Sequence, residues 1–449
     1  MIGTSWLLFS ALVGAIMALA CIEQRNPKWA WLSAGAGIGS GFGIGVASCT
    51  FYLARLMGAP PIPIVVAFQV ALLGIGGFLL YRRVPASSDL PPDAARYAWI
   101  PWTALAICVA FAVFAFSEAA RVNVHGDWDA WSFWNLRAKF LAAPDDRWAH
   151  AISGVPGSHP DSGLLLSSAV AAAWTFQGST DPSIPQHVGL LFYLATILTV
   201  SATVSLIRGP VLGAIAGLLL TLTSGFVVEA VAQYSDVPQG FYFAASVSML
   251  VLAAMKGSVR SAALAGLLAG MAAWTKNEGV VFFVAFLVAS IALFLRRRPL
   301  LVATLAGAVA VAALVRWDNL ASSWAGRAFD VSRSGDVLST TASQFASLGT
   351  GLLHPALLLL LCVVLLGVRR STPDPGQYIA PTLALTMIAT DLAVLAATPP
   401  DLQTSTAGRL WIQVWPLLLF GAVLYLRTPV LAVSETSQPV EKSRKVARR

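Results

Sequence analysis

Apolar runs of 17 or more residues recur along the chain, separated by short polar turns. Each run is long enough to cross about 30 Å of hydrocarbon as a helix. The runs predict spans near 3–21, 30–50, 62–81, 99–118, 188–207, 211–230, 237–255, 260–275, 279–295, 300–315, 349–368, 377–397 and 410–426. The expected fold is therefore all-α and polytopic, with about thirteen transmembrane helices and no separate soluble domain. The apolar stretch from Ser162 to Gln177 is shorter and reads as a re-entrant or interfacial helix. Four regions follow: N-terminal helices over 1–118, an elaborated loop over 119–187, a transmembrane core over 188–426 and a basic tail over 427–449. The start, Met1 to Cys21, lacks a basic leading segment and a small-residue cleavage site, so it reads as a retained first helix. The polar tail from Thr428 reads as disordered.

Composition agrees with this pattern. Hydrophobic residues make up 57% of the chain and charged residues 11%, against about 25% charged in soluble domains. The net charge of +8 then reports orientation rather than nucleic-acid binding. With the loop after the fourth span outside, nineteen of the 29 basic residues and six of the 21 acidic ones fall on the cytoplasmic side. Counting Ser162–Gln177 as spanning would put Arg296–Arg298 and the tail outside, against the positive-inside bias. The expected location is the plasma (inner) membrane, with the polar motifs on the extracytoplasmic face. Cys21, Cys49, Cys108 and Cys362 all lie in apolar runs, which argues against a disulfide framework or thiolate metal site. Six alternate-position glycines from Gly35 to Gly45 fit no nucleotide loop. Their spacing suits close helix packing.

The outer face collects the chemistry. The first large loop, Arg121 to Gly163, carries His125, Asp127, Asp129, Arg137, His159 and Asp161 among several tryptophans. Further outer turns read YSDVP from Tyr234, TKNEG from Thr275, RWDN from Arg316 and DLQTSTAGR from Asp401. Charges at membrane depth are costly and usually face a cavity or a partner. Transfer of a sugar from a lipid-linked phosphate needs a carboxylate to accept a hydroxyl proton. It also needs cations to hold the departing phosphate. Asp127 or Asp129 suits the base, and Lys276, Arg409 and Arg137 suit the phosphate. Trp128, Trp131 and Trp134 suit either an interfacial belt or a platform for a sugar ring.

Each of these has a plainer reading. The loop acids can be solvated, Asp236 can cap a helix, Lys276 and Glu278 can be an ion pair, and Arg409 can snorkel to headgroups. No cofactor is firmly implied. The carboxylates and histidines can gather a divalent metal, although nothing fixes a ligand spacing.

The segments GDWDAWSFWNLRAK, HPDSGLLL, YSDVPQGFYF, WTKNEG and TSTAGRL occur in that order between Gly126 and Pro416. With them the chain resembles the GT-C superfamily of membrane glycosyltransferases, and within it the bacterial dolichyl-phosphate-mannose protein mannosyltransferase-like group. The resemblance implies a catalytic acid in the first large external loop and a polyprenyl-phosphate sugar as donor. It favours Asp129 over Asp127, because Asp129 heads the Ala-x-x-x-Trp pattern. It also implies substrate contacts from Trp134, His159, Asp161, Tyr234, Asp236 and Glu278. The acceptor would be a glycan, lipid or protein. The chain departs from the pattern in three places. The aromatic and second proline after His159-Pro160-Asp161 are missing, the Asp-Glu pair becomes Asp127-Trp128-Asp129, and three spans precede the loop's own helix. Polar residues at membrane depth would also suit a transporter or lipid flippase, and a non-catalytic envelope scaffold is a third reading.

Overall fold

The computed structural model describes residues 2–24, 28–82, 99–153, 162–315, 334–369 and 375–428. Among them the structure is all-helical, with one isolated bridge between Val368 and Leu426. Nine helices are long and apolar enough to cross a membrane. They include α1 (Ile2–Cys21), α2 (Lys28–Leu56), α3 (Pro61–Tyr81) and α4 (Trp99–Val122). A helical loop follows, holding α5 (Asn135–Ala142) and α6 (Leu165–Gln177). Next come α7 (Ser183–Arg208), the short helices α8 (Pro210–Thr221) and α9 (Ser224–Val231), and α10 (Asp236–Lys256). The chain continues with α11 (Val259–Thr275), α12 (Asn277–Phe294), α13 (Arg298–Ala312) and α14 (Ser334–Ala346). It ends with α15 (Pro355–Leu366), α16 (Pro375–Ala396) and α17 (Pro400–Leu424).

The expected thirteen spans are not all of spanning length. The run 211–230 is α8 and α9, bent by 59°, and counts as a tenth span if the pair crosses together. At the break Thr223 leaves the helical region, with its hydroxyl donating to the Leu219 carbonyl and accepting from Trp415 Nε1 at 2.9 Å. A side chain inserted into the backbone ladder in this way is a recognised cause of kinks. Three further runs form shorter helices: α11 of 17 residues, α13 of 15 and α15 of 12. Extended backbone at Lys276 ends α11, while Pro355 and the left-handed Gly367 bound α15. The stretch at 162–177 yields only the 13-residue α6, largely buried against α2 and α5. Asp401 to Arg409, expected as a turn, is instead the first part of α17. The expected loop at Arg316 and the tail beyond residue 428 lie outside the described residues.

Burial grades the helices. Every residue of α10 from Asp236 to Ala254 is buried, as an all-round apolar helix requires, and α7, α11, α16 and α17 pack around it. In contrast α3 and α4 turn Phe68, Phe78, Phe111 and Phe114 outward, the surface a lipid environment would cover. The glycine run lets α1 and α2 nearly touch. A Cβ on Gly43 would stand 1.8 Å from the Ser10 carbonyl, and one on Gly14 would stand 1.9 Å from that of Gly39.

Charge divides between the two ends of the bundle. At one end, basic side chains meet carbonyls of helix C-termini. Arg208 bonds to those of Leu424 and Leu426, and Arg297 bonds to that of Ala254 at 2.7 Å. Cations there complement the negative pole of the helix dipoles. The N-terminus of α10 lies at the other end, and the polar motifs gather around it.

Candidate active site

The loop after α4 owes its shape to the turn between α9 and α10. Asp127 N donates to the Ala232 carbonyl at 3.2 Å, and Asp129 N donates to the Tyr234 hydroxyl at 3.3 Å. Asn135 Nδ2 reaches Gln233 Oε1 at 2.9 Å, and Gln233 Nε2 returns to the Val124 carbonyl at 3.2 Å. Two backbone features make this docking possible. Gly126 has φ +71°, and a Cβ there would lie 2.5 Å from the Ala232 carbonyl. Gln233 holds φ 60°, the one non-glycine among the described residues with positive φ. Such strain costs about 1–3 kcal/mol and tends to persist where surrounding contacts over-determine it. Directly after Asp129 the chain makes a π-helical turn, Ala130–Trp134, a local form frequent at functional sites.

Five charged side chains from four parts of the chain converge here. Arg409 donates from Nη1 to Asp129 Oδ2 at 2.5 Å and from Nε to Asp236 Oδ2 at 3.1 Å. Lys276 Nζ lies 2.9 Å from Asp236 Oδ1 and 3.3 Å from Glu278 Oε1. Gln413, one turn after Arg409, donates to Asp236 Oδ1 at 2.6 Å. The Arg409 guanidinium also sits 4.5 Å above the Tyr234 ring centre.

Exposure sorts these groups. The Asp236 side chain is 0% exposed, whereas Asp129 is 31% exposed and faces the loop surface. A carboxylate buried that deeply is tolerable only when paired, and two cations and an amide pair it. Asp129 shares one of those cations and remains reachable. Arg409 carries five N–H donors and Lys276 three, and the contacts above engage two of each. Burial pushes the Tyr234 phenol up to about 12, against the pull of the Asp129 N–H, so this hydroxyl stays protonated beside the acids at neutral pH.

The sequence motifs meet unevenly. Asp129, Tyr234, Asp236, Lys276, Glu278 and Arg409 come together. Asp127 stands beside them, its Oδ1 taken by Asn123 Nδ2 at 2.6 Å. Arg137 does not join them. Its guanidinium is fully buried and donates to the carbonyls of Ala151, Ser162 and Gly163 at 3.0–3.4 Å. Those bonds tie α5 to Ala151 and to Ser162 and Gly163 just ahead of α6. Trp134 is likewise core, 1% exposed and packed on Phe133, while Trp128 and Trp131 face outward. Asp236 opens α10 without capping it, since its oxygens serve the cations. Arg409 turns inward instead of reaching for headgroups. His159 and Asp161 lie outside the described residues. Among the described residues no cluster of three histidine, cysteine or acidic side chains could hold a metal ion.

Sequence reasoning missed Glu229 and Gln413. Glu229 Oε2 is buried near the cluster and makes no hydrogen bond among the described residues. The signal was available, since Glu229 is the lone acid in the run 211–230 and such acids are rarely idle. Gln413 sits four residues after Arg409, hence on the same helix face.

Comparison with family models, curated proteins and solved structures finds no match to this chain.

Proposed function

We propose that this chain is a membrane glycosyltransferase. It moves a sugar from a polyprenyl-phosphate donor to an acceptor hydroxyl at the extracytoplasmic face of the plasma (inner) membrane. One observation carries the reading: Arg409 ties the accessible Asp129 to the buried Asp236, with Lys276 alongside, at the end of a bundle of membrane-length helices. A proton acceptor and two phosphate-binding cations are thereby grouped where a lipid-borne phosphate would arrive.

In this reaction the acceptor oxygen bonds to the anomeric carbon as the bond to the phosphate oxygen breaks. The hydroxyl proton passes to Asp129, and the bonding pair leaves with the lipid phosphate. Attack opposite the leaving group inverts the anomeric centre. Arg409 and Lys276 stabilise the charge that grows on the phosphate. When the phosphate takes a share of Arg409, Asp129 loses part of its ion pair and becomes a better base. Asp236 holds both cations in place throughout.

The test is a transfer assay with purified protein, polyprenyl-phosphate sugars and envelope acceptors. Asp129→Asn keeps the side chain's shape but removes its basicity, so turnover should fall roughly a hundredfold or more with donor binding kept. Lys276→Ala and Arg409→Ala should each cost about 2–3 kcal/mol in donor use. Wild-type rates from all three variants would end the proposal.

The bent α8–α9 pair with buried Glu229 favours a second reading, a transporter with a broken helix at its site. Substrate flux across vesicles without chemical change would select it.

A further inference from the structure

Two residues past Asp129, Trp131 borders a small cleft that the charged cluster does not use. His125, Trp131, Asn135, Lys139, Trp174 and Gln233 line it, and the turn between α6 and α7 closes it.

We propose that this cleft binds a carbohydrate carrying an acidic group, and that the bound sugar is the acceptor. The acceptor role rests on the transferase reading, whereas the binding does not.

Four observations carry the proposal. Two indoles form part of the wall. Trp174 is 3% exposed and fixed by a 2.8 Å bond from Nε1 to the Asp181 carbonyl, while Trp131 is 48% exposed and braced edge-on by Trp128. The open Trp131 indole suits the apolar face of a sugar ring, with polar groups around it setting its orientation. The bond from Asn135 Nδ2 to Gln233 Oε1, with Gln233 Nε2 donating on to the Val124 carbonyl, holds both amides of the wall in place. No aspartate or glutamate lines the cleft, but Lys139 and His125 do, so its charge selects an anion. Finally, the cleft joins the site on both walls. Trp131 follows Asp129 by two residues in the π-turn, and the strained Gln233 precedes Tyr234, whose hydroxyl holds the Asp129 amide. The cleft and the proposed base thus share the π-turn and the α9–α10 turn.

The experiment titrates the purified full-length protein in detergent with tetragalacturonate and with maltotetraose. Binding is read by thermophoresis, and folding of each variant by size exclusion. Tetragalacturonate should bind, at least threefold more tightly than maltotetraose. Trp131→Ala should weaken it tenfold or more, with Trp131→Phe recovering most of the loss. Lys139→Gln should remove the preference for the acidic sugar and leave maltotetraose unchanged. Asp129→Asn should bind both like the wild type. No binding of either sugar, or binding that survives Trp131→Ala, overturns the proposal. Equal affinity for the two sugars overturns the acidic selectivity. Sugar binding without transfer activity would retain the cleft and remove the transferase reading. Transfer without sugar binding would do the reverse.

Discussion

Asp129 and Arg409 stand 280 residues apart in sequence and share a hydrogen bond of 2.5 Å. The same guanidinium reaches Asp236 through Nε, so one cation from the last helix ties a partly exposed loop acid to a buried helix acid. This bridge joins the loop after α4 to the most buried helix of the bundle.

The two acids should respond differently when that cation is lost. Arg409→Ala leaves Asp236, at 0% exposure, with Lys276 as its remaining cation. Removing one partner of a buried ion pair costs about 3 kcal/mol, so thermal unfolding in detergent should shift clearly downward. Adding Asp236→Asn to Arg409→Ala should restore part of the loss by removing the under-compensated charge. Adding Asp129→Asn should restore little, because Asp129 reaches solvent. An unshifted Arg409→Ala protein would mean that Lys276 and Gln413 suffice.

Loop docking is predicted to depend on Gly126 more than a left-handed backbone alone would require. Gly58 has φ +64° with nothing near a Cβ, whereas Gly126 has φ +71° and the Ala232 carbonyl at 2.5 Å. Gly58→Ala should cost about 1 kcal/mol of strain and leave transfer intact. Gly126→Ala must also push the loop off the α9–α10 turn. It should lose most activity while the melting temperature falls only modestly, and equal behaviour of the two variants would argue against loop docking.

A pH titration should single out Tyr234. Burial raises its phenol from the ordinary 10 to about 12 in the folded protein. The unfolded chain thus releases this proton first as pH rises. The corresponding stability is complete below pH 10 and is lost as pH climbs through 12. Relative to Tyr234→Phe, the wild type should lose stability across that interval, measured by denaturant unfolding. Parallel curves for the two proteins would assign the alkaline loss to other groups.

Orientation can be read by labelling intact cells with a membrane-impermeant maleimide, after replacing the four native cysteines with alanine. Trp128→Cys, at an exposed loop position, should be modified from outside. Ser437→Cys in the basic tail should react only after the membrane is opened. The reverse pattern would place the charged cluster on the cytoplasmic face and exclude an extracytoplasmic reaction.

Much of the architecture was legible in the sequence because it depends on local properties. A run of apolar residues long enough for a bilayer declares a helix wherever it packs, so each expected span has a helical counterpart among the described residues. The glycines of α2 announced close packing by their spacing, and Ser10 and Gly14 of α1 supply the neighbours. The charged motifs also signalled which residues would gather, since charge beside apolar sequence is costly unless it is paired. Helix lengths were less legible. An extended Lys276 or an inserted Thr223 hydroxyl ends or bends a helix through contacts that hydropathy does not register.

Tertiary structure alone decided which way each polar side chain turned. Arg137 and Arg409 have the same chemistry, and both looked fit to hold a phosphate. Packing sends Arg137 into backbone carbonyls and Arg409 between two acids. Trp131 and Trp134 sit three residues apart, yet one faces the cleft and the other the core. Their directions follow from a π-turn and from the docking of Gly126 on Ala232, contacts made across more than a hundred residues. Hydrophobic pattern is local and survives in the sequence. Ion pairing depends on where distant helix ends meet, and only the fold supplies that.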